Sequence, residues 1–121
     1  MIVDQLIELL EQFDVPVYRQ GSMAEDAAYP DTFFTFWEDE STDHAHYDDD
    51  VFCFAHEFSL NVYSTNPDTA YSLLATARQI LKDNGWTVSG QGYDVPSDEP
   101  THVGRGLRIE YLAITGGNEN A

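Results

Sequence analysis

Hydrophobic and polar positions alternate along residues 51–64, and hydrophobic positions then recur at helical spacing along residues 66–84. The alternation predicts one long strand with a buried and a solvated face. The buried face would carry Phe52, Phe54, Phe58, Leu60 and Val62, and the other face Cys53, Ala55, Glu57, Ser59, Asn61 and Tyr63. The helix, between a candidate N-cap at Asn66 and a stop at Gly85, would present Ala70, Leu73, Leu74, Ala77, Ile80 and Leu81. Strand and helix are therefore expected to cover one another.

Weaker patterns predict one more helix and four more strands. An apolar stripe of Val3, Leu6, Ile7, Leu10 and Phe13 indicates an N-terminal helix over 3–13. The aromatic stretch 32–37 is apolar on both faces and should be a central strand, whereas Pro16 places the strand 15–19 at an edge of the sheet. The last two strands are expected at 86–89 and 103–114, separated by an irregular connection over 90–100.

This order of elements predicts an α+β fold, with a mixed or antiparallel sheet of about five strands and two helices packed on one face. We expect a single domain over residues 1–114 and a flexible C-terminal tail over 115–121. Gly104 and Gly106 weaken the start of the last strand and indicate a bulge or a close approach to another backbone there.

An acidic segment runs from Glu38 to Asp50 between two strong strand patterns, and it is expected to form the loop at the tip of a long hairpin. Its carboxylates are Glu38, Asp39, Glu40, Asp43, Asp48, Asp49 and Asp50. His44 and His46 lie among them, yet the glycine and the terminal glutamate of a calcium-binding EF-hand loop are out of register. No metal site is predicted here, and a solvated acidic loop is the simpler interpretation.

The chain has 22 Asp and Glu against 5 Lys and Arg, a formal net charge of −17 at pH 7. Such a charge repels phosphate backbones, so direct binding of nucleic acid is not expected. Solubility alone could explain much of it. The remaining explanations are a basic partner, a cation, mimicry of DNA, or a surface past which a polyanion must slide.

Neither catalysis nor membrane insertion is indicated. The nucleophile-elbow, phosphate-loop, zinc-protease and dinucleotide-binding motifs are absent, so we predict no enzyme, no catalytic residues and no cofactor. His56 is expected to be satisfied by a neighbour at the edge of the core, and His102 to lie on a surface loop. The single Cys53, the lack of a long apolar run and an acidic N-terminal segment predict a protein of the cytoplasm with no membrane contact.

Two features point to association between copies. The aromatic residues exceed what one face of a small sheet hides, and two helices can cover only one face, which predicts a subunit interface. Arg105 and Arg108, two of the five Lys and Arg residues, are candidate contacts to an acidic neighbour, including another copy of this chain.

The chain resembles the phage and prophage tail-completion proteins, a group that includes tail-terminator-like and minor tail proteins. The resemblance is carried by Tyr29-Pro30 before the aromatic strand, Asn61-Val62-Tyr63-Ser64 before the helix, Gly85-Trp86 after it, Tyr93-Asp94, and Arg108-Ile109-Glu110-Tyr111. Thr101-His102-Val103-Gly104 departs from the Tyr-His pair that such proteins tend to carry before the last strand.

This resemblance implies a ring-forming subunit, commonly a hexamer, that ends the tail tube and docks to the head connector. It would assemble in the host cytoplasm and reside in the virion, with the segment Glu38–Asp50 facing the lumen or a partner. Two alternatives stay open: an acidic DNA mimic that inhibits a DNA-binding protein, and a small enzyme with a pocket that the sequence does not reveal.

Overall fold

The computed structural model describes residues 2–19, 29–47, 51–97 and 99–116, and for 40–47, 51–54 and 113–116 it describes the backbone. The chain folds into two helices and five strands within these ranges, which confirms the predicted α+β class. In chain order they are α1 (Ile2–Glu11), β1 (Val17–Arg19), β2 (Thr32–Tyr47), β3 (Val51–Ser64), α2 (Pro67–Asp83), β4 (Thr87–Val95) and β5 (Val103–Gly116).

The five strands form one mixed sheet in the order β1-β2-β3-β5-β4. Short β1 lies at one edge, as Pro16 predicts, and it pairs parallel to β2 from Val17 opposite Phe34 to Arg19 opposite Phe36. The pairs β2–β3, β3–β5 and β5–β4 are antiparallel. The long strand β3 is therefore in the middle of the sheet, with β2 on one side and β5 on the other.

Helix α2 follows β3 along the chain, and the backbone groups at both of its ends have hydrogen-bond partners. The side-chain oxygen of Asn66 accepts a hydrogen bond from the amide of Asp68 at 2.9 Å, and Pro67 occupies the first turn, where a missing N–H costs nothing. At the other end the Asn84 amide bonds back to carbonyls of the last turn, and Gly85 adopts a φ of 90°. The predicted boundaries of this helix are confirmed.

Both helices contribute to one core on the same face of the sheet. The buried strand residues of this core are Phe34, Phe36, Phe58, Leu60, Val62, Leu107 and Ile109. They are covered by Leu6 and Leu10 of α1 and by Ala70, Leu74, Ala77 and Leu81 of α2. Trp86 joins this core at the exit from α2, where its ring lies 5.7 Å from that of Phe58. We call this side of the sheet the helix face and the other side the open face.

Two strands are longer than the sequence predicted. The acidic residues from Glu38 onward were expected in a loop, but β2 continues to Tyr47 and pairs with β3 down to Val51, so this stretch is strand. Likewise β4 runs on to Val95 through the stretch expected to be irregular, with a register shift between Ser89 and Tyr93. In both cases cross-strand hydrogen bonds to a neighbour outweigh a weak local preference.

Two further expectations need correction. The side of β3 predicted to be solvated carries Ala55, Ser59 and Asn61, and all three are buried. The last strand ends at Gly116 rather than Ile114, so Thr115 belongs to β5 and not to a tail. Residues 117–121 lie outside the described part of the chain.

The two glycines of β5 permit close packing on the open face. A Cβ on Gly104 would lie 2.7 Å from the ring of Tyr63 and 2.9 Å from the carbonyl oxygen of Val95. A Cβ on Gly106 would lie 2.6 Å from the side-chain oxygen of Asn61. The neighbouring strands therefore approach both glycines closely, as predicted, although most of the contacting atoms belong to side chains rather than to the backbone.

Candidate functional site

Three strands continue past the rest of the sheet and form an arm. Among the described residues, β1 reaches Phe36 of β2, and β4 reaches Glu110 of β5. Beyond these points β2, β3 and β5 remain paired, with one register shift in β2, from the row Ser41–His56–Tyr111 to the row Tyr47–Val51–Gly116. We define the arm as residues 41–47, 51–56 and 111–116. Six residues of β3 give it a length of roughly 20 Å.

Carboxylates at the base of the arm are held by side chains of β3. Glu38 Oε2 lies 2.9 Å from Nδ1 of His56, and both side chains are about three-quarters buried. Asp39 Oδ2 accepts a hydrogen bond of 2.8 Å from the hydroxyl of Ser59. These two predicted residues are therefore fixed to the sheet, and His56 has the neighbour that the sequence led us to expect.

The first row below the arm brings acidic residues together. Glu40 lies opposite Glu57, and Glu57 lies opposite Glu110, so three glutamates follow one another across β2, β3 and β5. The side chains of Glu57 and Glu110 are half-buried. Like charges directly opposite each other in a sheet repel, so this row costs the isolated chain stability. No sequence pattern predicts the row, because it depends on strand register.

The other predicted acidic residues are only partly accounted for. Asp43 lies within the β2 part of the arm, where the structure describes the backbone, and Asp48, Asp49 and Asp50 lie outside the described residues. Among the side chains that are described, no three His, Cys, Asp or Glu residues converge into a metal-binding group.

The two candidate arginines lie on opposite faces of β5. Arg105 is on the helix face, where its guanidinium lies 4.4 Å from the ring centre of Tyr71 and donates a 3.0 Å hydrogen bond to Asp94. Its side chain is 14% exposed and that of Asp94 is 85% exposed. Arg108, three residues later, is exposed on the open face. One flat surface therefore cannot use both arginines as contacts.

His102 is buried, whereas the sequence predicted a surface position. Its Nε2–H donates to the carbonyl oxygen of Pro30 at 2.8 Å, and Nδ1 lies 2.9 Å from the hydroxyl of Thr101. The rings of Tyr29 and Phe33 pack edge-on against it, at 5.8 and 5.9 Å. No periodic pattern marks such a residue, because its partners come from a segment far away in the sequence.

A cleft of about 360 Å³ lies between the start of α2 and the β4–β5 pair. Pro67, Tyr71, Asp94, His102, Val103 and Arg105 are among its lining residues. In this cleft His102 and Nη1 of Arg105 already have partners within the chain, whereas the buried Nε of Arg105 has no hydrogen-bond partner among the described residues. A single unpaired N–H does not define a ligand, so the arm is the stronger candidate for function.

Comparison with known proteins does not assign the chain to a family. No protein-family model matches the sequence, and no curated protein matches it either. Among the described helices, neither is long and apolar enough to cross a lipid bilayer.

Proposed function

We propose that this chain is a structural virion protein of a phage or prophage, a tail terminator or head–tail joining subunit that forms a ring. The single observation that carries the proposal is the arm, which extends roughly 20 Å beyond the strands that flank the sheet. Among the described side chains of this extension, Ala55 and Tyr111 near its base are packed into the sheet, and Leu112 is exposed. The geometry of the extension suits contact with a neighbouring subunit.

The composition of the arm supports contact with protein rather than with water. Its segments of β3 and β5 include Val51, Phe52, Phe54, Leu112 and Ile114. Leu112, whose side chain is described, is 41% exposed. An exposed apolar residue such as Leu112 tends to mark an interface when its strand has an open edge, since a monomer would leave it hydrated. Another copy of the chain would cover it in a ring, which we propose to be a hexamer.

The charge supports a position beside a DNA channel. At −17 the chain would repel DNA rather than bind it, and Glu38, Asp39, Glu57 and Glu110 concentrate part of this charge at the base of the arm. A ring lined in this way would let DNA pass without sticking. The acidic residues of segment Glu38–Asp50 would face the lumen or a partner protein, and no direct nucleic-acid binding is part of this role.

The partners of such a ring are other copies of the chain, the tail tube on one side and the head connector on the other. The protein would assemble in the host cytoplasm and then remain in the virion tail, without membrane contact, catalysis or a cofactor. The acidic DNA mimic is the alternative, and it draws on the same net charge.

Native mass tests the proposal directly. Light scattering across protein and salt concentration should show oligomers near six subunits, favoured by high salt, because salt screens repulsion between acidic subunits. Electron microscopy should show rings, and added tail tubes should acquire the protein at one end. A monomer or dimer that does not bind tail tubes and that displaces DNA from a basic protein would contradict the ring and favour the DNA mimic.

A further inference from the structure

Both outer edges of the arm are open within the described part of the chain. The β2 edge has no strand beside it from Ser41 to Tyr47, because β1 stops at the row of Phe36. The β5 edge has none from Tyr111 to Gly116, because β4 stops at the row of Glu110. The β2 edge is already open from Trp37, and both edges are open over the rows from His56 to Val51 of β3. Each edge exposes backbone N–H and C=O groups that another strand could pair with.

The two edges differ in charge and regularity. Tyr111–Gly116 of β5 contains no charged residue, and its pairing with β3 has no register shift. The β2 edge carries Asp43 and follows Glu38, Asp39 and Glu40, with register shifts between Glu38 and Glu40 and between Asp43 and Ala45. Pairing of two β2 edges would bring like charges together, which costs energy. Pairing of a β5 edge with a β2 edge avoids this repulsion.

Strand direction decides how copies can be arranged. Both β2 and β5 run antiparallel to β3, so they run parallel to each other. If β5 of one copy pairs with β2 of the next in parallel, both copies keep the same orientation, and the contact can repeat around a ring. Pairing of β5 with β5 would be antiparallel and would stop at two copies. Bulges bend and twist a strand, so the two register shifts in β2 supply curvature for closure.

We propose that the open β5 edge, Tyr111–Gly116, pairs in parallel with the open β2 edge, Ser41–Tyr47, of the next copy. This inference rests on the proposed ring and assigns its subunit contact. Backbone hydrogen bonds across the edges hold the subunits together, and the uncharged β5 segment lets two strongly acidic chains approach. The arms of all subunits then form one continuous sheet around the channel.

Disulfide trapping tests the contact. In a full-length chain with Cys53→Ser, Thr42→Cys is combined in turn with Leu112→Cys, Ala113→Cys or Ile114→Cys. Within one copy Thr42 and Leu112 share a row across β3, so their Cα atoms lie roughly 10 Å apart, too far for a disulfide. On adjacent edges of two copies they fall within bonding range. Mild oxidation should therefore give linked species of three or more chains in at least one combination.

The controls separate this contact from other arrangements. Each single-cysteine variant should remain uncrosslinked, and so should Thr42→Cys with Ser89→Cys, because Ser89 is exposed on β4 outside the arm. Dimers from Leu112→Cys alone would overturn the parallel contact in favour of β5 pairing with β5. Native mass is measured on the same samples. Rings without cross-links in any combination would refute the edge contact and leave the ring intact, whereas a monomer that also ignores tail tubes would refute both.

Discussion

The imidazole Nε2 of His102 lies 2.8 Å from the carbonyl oxygen of Pro30, which joins two segments 72 residues apart. The bond ties the entry of β2 to the entry of β5. Tyr29 and Phe33 enclose the ring, and Phe33 in turn stacks on Tyr63 at 5.3 Å. One buried histidine therefore closes the end of the open face, which neither α1 nor α2 covers.

Removal of this histidine should destabilise the chain. His102→Ala leaves the Pro30 carbonyl without its donor and opens space among aromatic rings, so the free energy of unfolding should fall by about 1–3 kcal/mol. His102→Phe keeps a ring in place and should cost less. Urea unfolding measures both, with Gln5→Ala as a control that should change stability by less than about 0.5 kcal/mol, because Gln5 is exposed on α1, away from His102. Equal effects of His102→Ala and Gln5→Ala would contradict this role.

The glycines of β5 should not tolerate even a methyl group. Gly104→Ala places a Cβ 2.9 Å from the carbonyl oxygen of Val95, a backbone atom that cannot turn away. A Cβ at Gly106 would lie 2.6 to 2.9 Å from side-chain atoms of Asn61, Tyr93 and Val95, and of these Tyr93 is 42% exposed and can shift. We expect thermal unfolding to show a loss of about 1–3 kcal/mol for Gly104→Ala and a smaller loss for Gly106→Ala. A larger loss for Gly106→Ala than for Gly104→Ala would contradict this account of the packing.

Neutralising the acidic row below the arm should stabilise the isolated chain. Glu110→Gln removes the repulsion with Glu57 directly opposite and should raise the free energy of unfolding by about 0.2–1 kcal/mol. The gain should shrink at high salt, because salt screens these partly exposed charges. Glu8→Gln, on the exposed side of α1, changes the same formal charge and is the matched control. A gain equal to that of the control would assign the effect to net charge rather than to the row.

Arg105 should matter for stability through burial more than through its ion pair. Asp94→Asn removes a carboxylate that is 85% exposed and should cost less than about 1 kcal/mol. Arg105→Ala also removes a mostly buried side chain and its contact with Tyr71, so it should cost at least about 1 kcal/mol more. Urea unfolding of the two variants makes the comparison. Equal losses would mean that the ion pair dominates.

The sequence alone was sufficient to predict the order of helices and strands and the bounds of the main helix, α2. Period-two alternation and period-3.6 recurrence are local, and the capping residues Asn66 and Gly85 mark helix ends through local hydrogen bonds and backbone geometry. The edge position of β1 also followed from one residue, Pro16, because a missing N–H excludes a central position.

The lengths of the strands and the geometry of the site could not be predicted without the tertiary structure. The stretch from Glu38 to Tyr47 is polar and acidic, which locally favours a loop, yet it is a strand because β3 lies beside it and supplies hydrogen-bond partners. The row of Glu40, Glu57 and Glu110 and the opposite positions of Arg105 and Arg108 depend on register and face.

Local patterns determined where the two helices and the cores of the five strands form, since helix and strand preferences act over a few residues. Only the tertiary structure decided that His102 is buried against Pro30 and that, among the described residues, no strand flanks the arm on either side. Those features arise from contacts between residues distant in the sequence, and which contacts form depends on the packing of the whole sheet.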